Sequence, residues 1–309
     1  MKILLLGANG QLGRSFVGDG RLARLGSLVT ACRDGQRFDG TSVETADLAA
    51  PDTLVDVLDR IRPDIVVNAA AYTAVDRAEQ EEELATLVNA DAVGVLGRWA
   101  KRHGALIVHF STDYVFDGSS SVPYRTTDAT GPLGAYGRSK LAGERALASS
   151  EADHLVLRTA WVYSEHGHNF LRTMLRLGSE RDTLSVVSDQ HGAPTSTDVI
   201  VEGTLVALGA WLAADVAGRS SMRGIHHLVA GGSTTWHGFA EAIFAAAGER
   251  GLLVRTPEVR AIDTTQFPTP AKRPAWSVLD TSELTRRFGY RPPAWQDALA
   301  TVMDRLAAG

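Results

Sequence analysis

The chain has 309 residues, 44% hydrophobic and 22% charged, which excludes disordered and fibrous classes and allows a large buried core. Its formal charge of −5 provides no basic footprint, so nucleic-acid binding has no electrostatic support and small molecules are the expected partners. Cys32 is the only cysteine, which excludes an internal disulfide and a cysteine-based metal cluster and fits a reducing, cytoplasmic setting.

The chain opens on an apolar run, Lys2–Leu6, predicted to be a buried strand and too short for a signal peptide. It leads into Gly7-Ala-Asn9-Gly10-Gln11-Leu12-Gly13 and then a helix from Gln11. Glycines in such a strand-to-helix turn let the backbone approach a pyrophosphate, whose charge the free N–H groups at the helix start would stabilise. The spacing is Gly-x-x-Gly-x-x-Gly rather than the standard Gly-x-Gly-x-x-Gly, and a purely structural turn is the alternative.

A second predicted strand, Ser27–Cys32, ends at Arg33-Asp34. An acid at this point reads the ribose 2′-hydroxyl of NAD and an arginine the 2′-phosphate of NADP, so Arg33 favours NADPH while Asp34 keeps NADH open. Asp47-Leu48 lies where a loop can meet adenine, and a helix is expected from Pro51. Asp64–Asn68 reads as a strand followed by Ala69-Ala70-Ala71-Tyr72-Thr73, small residues that would let the backbone lie against a flat cofactor. A helix from Glu81 and a strand over Ala105–Phe110 continue the βαβ rhythm, which predicts a parallel sheet with helices on both faces.

That strand delivers Thr112 to its carboxyl end, and a helix from Ala135 carries Tyr136 and Lys140. Four residues apart, the phenol and ammonium project from one helix face, and a neighbouring cation makes a phenol a usable proton donor. After a strand over His154–Trp161 the chain becomes irregular from Ser164, as expected where a substrate-binding unit is assembled beside a sheet. Asp198–Leu212 reads as a helix and Gly224–Leu228 as a strand returning to the first layer; the longest apolar stretch, Thr204 to Ala214, falls short of the about 18 residues of a membrane span. Thr281 or Ser282 is expected to cap a helix ending before Gly289, and Trp295 to open the last helix. The expected fold is α/β: a Rossmann-like doubly wound parallel sheet over residues 1–160, with a return at about 196–228. A smaller C-terminal α/β substrate domain is expected over 161–195 and 229–309. His226 and His227 have no matching ligand cluster, so no metal site is expected.

Taken together, Gly7-x-x-Gly-Gln-Leu-Gly13, Arg62-Pro-Asp-Ile-Val-Val-Asn-Ala-Ala-Ala-Tyr-Thr-Ala-Val-Asp76, Ser111-Thr-Asp-Tyr-Val-Phe-Asp-Gly118, Tyr136-Gly-x-x-Lys140, Arg158-Thr-x-Trp-Val-Tyr163, Asp189-Gln-x-Gly-Ala-Pro-Thr195 and Arg273-Pro274 resemble the extended short-chain dehydrogenase/reductase superfamily. More narrowly, the chain resembles the dTDP-4-dehydrorhamnose reductase family over nearly its whole length. The resemblance implies a catalytic Thr112, Tyr136 and Lys140. It implies cofactor contacts from Gly10, Gln11, Leu12, Asp47, Leu48, Ala71, Tyr72, Thr73, Tyr136 and Lys140, and substrate contacts from Asp113, Tyr114, Trp161, Asn169 and Arg273 beside Thr112. For Trp161 core packing, and for Asp113 a turn role, are the alternatives.

The activity so implied is NADPH-dependent reduction of the C4 ketone of a dTDP-4-keto-6-deoxy sugar, by a monomer or homodimer without nucleic-acid or membrane partners. Ser15 stands where some bacterial members place a Glu for a magnesium-bridged dimer, and Arg273-Pro-Ala-Trp276 replaces the more usual polar residue before Ser277. Tyr114 stands where dehydratases of the superfamily carry an acid, so elimination lacks its base. An epimerase and a non-catalytic NADP-binding regulatory subunit remain as alternatives.

Overall fold

In the computed structural model, which describes residues 1–308, the apolar runs become one seven-stranded sheet. Its strands are β1 (Lys2–Leu6), β2 (Ser27–Cys32), β3 (Glu44–Thr45), β4 (Ile65–Asn68), β5 (Leu106–Thr112), β6 (Asp153–Thr159) and a last strand at Gly224–His227. In space the order is Gly224–His227, β6, β5, β4, β1, β2, β3, and every pairing is parallel. Strand order reverses between β1 and β4, so the loops leaving their carboxyl ends diverge and open a crevice there. The register brings those ends level: Leu6 pairs with Asn68, and Asn68 with His109.

The sheet is buried on both sides, which is why its strands are continuous apolar runs rather than alternating ones. Leu4, Leu6, Val66, Ile107 and Val156 face one layer, covered by Leu54, Leu58, Val93, Leu96 and Trp99. Ile3, Leu5, Val67, Val108 and Leu157 face the other, covered by Phe16, Ile200, Leu208 and Trp211. Each such aliphatic side chain contributes about 1.5–3 kcal/mol on burial. The second cover includes the Thr197–Ala213 helix, which supplies Ile200, Leu208 and Trp211.

A third core gathers Tyr163, Leu171, Met174, Leu184, Phe239, Ile243, Phe244, Trp295, Leu299 and Met303. Around it lie the helices Phe170–Glu180, Trp236–Glu249 and Trp295–Ala308, and a parallel strand pair, Thr183–Val187 with Glu258–Ile262. No described helix is long and apolar enough to cross a membrane.

Three local expectations change. The helix expected from Glu81 is preceded by a short one at Val75–Ala78 and widens into a π-turn at Leu87–Asp91 before Ala92–His103. The strand expected to reach Trp161 ends at Thr159, because Trp161 adopts a left-handed backbone (φ 45°) that no strand accommodates. Thr281 holds the N-cap position of Ser282–Phe288 without a side-chain bond; Asp280 Oδ1 instead accepts from Ser282 N at 2.7 Å.

Candidate active site

The glycine loop shows why three glycines stand where they do. Gly7 has φ 80°, and a Cβ there would come within 2.7 Å of Ala70 N. A Cβ on Gly13 would run into the Gly7 carbonyl oxygen, so Gly13 permits the helix to start against the loop. Gly10 meets nothing of the chain closer than 3.4 Å, and it precedes the Gln11–Asp19 helix without any side-chain cap. The loop is therefore bare on the side where an anion would meet the helix N–H groups.

Asn9 does not reach outward: its Oδ1 accepts from Phe38 N and its Nδ2 donates to Gln36 O, both at 2.8 Å. Asp34 is turned into its own loop, accepting from Cys32 Sγ and Gln36 N, while Arg33 stays exposed past β2. The cation is therefore the free charge at the end of β2. Asp47 Oδ1 closes a turn on Ala49 N, and Leu48 is buried in the core, so either would meet a base through backbone or turn rather than through a side-chain face. Ala69 and Ala70 are half-buried and Ala71 and Thr73 exposed along the crevice wall. Tyr72 lies between, its hydroxyl donating to Glu81 at 2.6 Å.

At the end of β5, Thr112 is buried, donates from Oγ1 to Asp113 Oδ1 at 3.0 Å and accepts from Tyr114 N at 3.2 Å. Burial pushes the Tyr136 phenol up to about 12, against the opposing influence of the nearby Thr112 hydroxyl. The Tyr114 ring meets the Tyr136 ring edge-on at 5.9 Å. Gly137 makes this approach possible, since a Cβ there would strike the Tyr114 carbonyl oxygen. Lys140 is 1% exposed, donates from Nζ to Phe110 O at 2.7 Å, and is pushed down to about 8 by burial. Thr112 and the Tyr136 phenol thus lie close together at the carboxyl end of β5, and Lys140 is bonded to the same strand through Phe110 O.

Asp113 is buried, and burial raises its carboxyl to about 6. Its Oδ2 has no hydrogen-bond partner among the described residues. Arg273 arrives from the far side of the chain, close to Tyr114 and forked onto Asp76 at 3.0 and 2.8 Å. Gly118 fixes this meeting: with φ 74°, it lies where a Cβ would be 2.5 Å from Pro274 Cβ.

Trp161 is half-buried and stacks flat on Trp236, 3.6 Å between centroids, with Gly192 against the same indole. Asn169 is more internal than a ligand contact would require. It caps the Phe170–Glu180 helix through Arg172 N and donates to Gln11 Oε1 at 2.8 Å and to Ser164 O at 2.9 Å. Gln11 in turn donates to His168 O, so one amide joins the glycine loop to the 164–169 loop.

Comparison with known proteins then decides the family. The family described as RmlD substrate binding domain matches residues 1–308. The dTDP-4-dehydrorhamnose reductase of Salmonella typhimurium is 43% identical over 306 residues, covering 99% of this chain and 98% of that protein. The chain belongs to the dTDP-4-dehydrorhamnose reductase family. The Burkholderia thailandensis member is 46% identical over 308 residues, 99% of each protein. A crystal structure of the Bacillus anthracis member in complex with NADP superposes with a TM-score of 0.85 at 30% identity, covering 98% of this chain and 99% of that one.

Three residues of the site were missed in the sequence. Asn89, in the π-turn, accepts from Tyr72 N at 2.9 Å and donates to Tyr72 O and Ser139 Oγ, both at 3.0 Å, pinning the alanine strip to the Tyr136 helix. A π-turn leaves no mark in hydrophobic periodicity, so only the isolated amide in an apolar helix pointed to it. His109 sits behind Lys140, and Trp236 behind Trp161. Ser15 also finds a role within this chain, donating to Thr197 Oγ1 at 2.7 Å and tying the first helix to the Thr197–Ala213 helix.

Proposed function

We propose that the chain reduces the C4 ketone of a dTDP-4-keto-6-deoxyhexose, with NADPH as reductant. The observation that carries this reading is the convergence of Thr112, Tyr136 and Lys140 beside Tyr114, an aromatic residue where elimination would need a carboxylate. The glycine cradle, the uncapped helix start and exposed Arg33 fit a dinucleotide phosphate. When bound, NADPH supplies the hydride.

The remaining work falls to the chain. A phenol raised to about 12 is protonated at neutral pH, so Tyr136 is a donor in the reductive direction. It gives its proton to the C4 oxygen as charge develops there, and the Thr112 hydroxyl turns from Asp113 to hydrogen-bond the same oxygen. The unpartnered Asp113 Oδ2 accepts from a sugar hydroxyl, and Arg273 brings positive charge to the diphosphate side. Trp161, with both neighbours in place, acts as a rigid wall for the sugar.

Purified protein should oxidise NADPH when given a dTDP-4-keto-6-deoxy sugar, with product stereochemistry read by NMR. Tyr136→Phe should lower kcat by about 10²–10⁴-fold. Equal turnover in the Phe variant, or conversion of the sugar with no net loss of NADPH as in an epimerase, would refute the reading.

A further inference from the structure

Behind the Tyr136–Lys140 helix, three buried polar side chains form a line. Asn68 Oδ1 accepts from Ala70 N at 3.3 Å, which turns its Nδ2 toward His109 Nδ1 at 3.1 Å. An amide NH₂ can only donate, so His109 Nδ1 must accept, and a neutral imidazole then carries its proton on Nε2. That nitrogen lies 3.3 Å from Lys140 Nζ. An ammonium has no lone pair, whereas a neutral amine accepts the Nε2–H bond.

We propose that Asn68, acting through the His109 tautomer, is a positioning pair that makes Lys140 a group able to lose its proton in the working pH range rather than a permanent cation. The inference rests on the reading above that places Lys140 in the catalytic trio with Thr112 and Tyr136.

Its surroundings agree. His109 is buried, and desolvation with the nearby Lys140 charge keeps the imidazole neutral. His154, on β6, is the other titratable neighbour of His109 and is also held neutral by burial. On its own helix the charged neighbour of Lys140 is Glu144, which favours the ammonium. That carboxylate is forked onto Arg158 of β6 at 2.9 and 2.7 Å, so much of its charge is already compensated. Asp113 lies nearer Tyr136 than Lys140 and acts on the phenol. Burial drives Lys140 in the same direction as the imidazole N–H.

Two variants reverse the hydrogen-bond polarity. Asn68→Asp can accept a proton-bearing Nδ1 and leave Nε2 free to accept from the ammonium. His109→Gln can present its carbonyl to Nζ without adding charge. Both should move the Lys140 titration upward by about one pH unit, read in the free protein by the NMR shifts of the lysine Cε and Nζ and in turnover by the alkaline limb of kcat/KM. Nitrogen shifts of His109 in the parent should report an Nε2–H tautomer. An Nδ1–H tautomer, or an unchanged Lys140 titration in both variants, overturns the proposal. A shift with Asn68→Asp alone also overturns it, because added charge then explains the effect. The NMR readouts need no substrate, so a failure of the assigned sugar chemistry would appear separately.

Discussion

Asp113→Asn isolates what a buried carboxylate does to this fold. Burial raises the Asp113 carboxyl from 3.8 to about 6, despite the opposing hydroxyls of Ser277 nearby and of Thr112, which donates to it. A raised carboxylate binds its proton more tightly in the folded state, so its contribution is fully present below the unfolded value and is lost as pH rises through about 6. Two pH units at about 1.4 kcal/mol each make the ionised group about 3 kcal/mol destabilising at neutral pH.

The amide keeps an oxygen for the Thr112 hydroxyl and carries no charge, so Asp113→Asn should be more stable than the parent by about that amount at pH 7. The gain should shrink on acidification and vanish below about pH 4. Urea unfolding at a series of pH values measures it. Equal or lower stability at pH 7, or a gain that persists at pH 4, would refute the argument. The same variant should bind sugar more weakly, because an anionic acceptor is replaced by a neutral amide.

Two other substitutions test separate parts of the structure. Glu144→Ala strands Arg158 in a site where both side chains are 2% exposed, and should lower stability by about 3–5 kcal/mol in chemical denaturation. Replacing both partners with apolar residues of similar volume should lower it far less. Arg33→Ser removes the cation expected at the adenosine ribose and should raise the KM for NADPH by about 10–100-fold while leaving that for NADH nearly unchanged, read by steady-state kinetics.

The sheet was legible because a strand buried on both faces writes itself as an apolar run: Lys2–Leu6 stands where it was expected, and so does the less buried Ser27–Cys32. The glycine loop was legible for a related reason, since close backbone approach at Gly7 and Gly13 leaves no other residue type. Side chains whose roles depend on the packing of distant segments were not. Asn169 and Gln11 meet across 158 positions and Asp76 and Arg273 across 197, separations that no local pattern records. His109 read as one more strand residue, because its chemistry lies in which nitrogen faces Lys140.

The contact between Gln11 and the 164–169 loop bears on how affinities in this protein will divide. Gln11 belongs to the loop that would hold the cofactor phosphates, yet its amide is bonded to Ser164, His168 and Asn169 on the side of the third core. A ligand that orders one loop therefore alters the freedom of the other, and by reciprocity each ligand changes the other's affinity by the same factor. A substitution at 164–169 that breaks these bonds is therefore expected to change cofactor affinity as well.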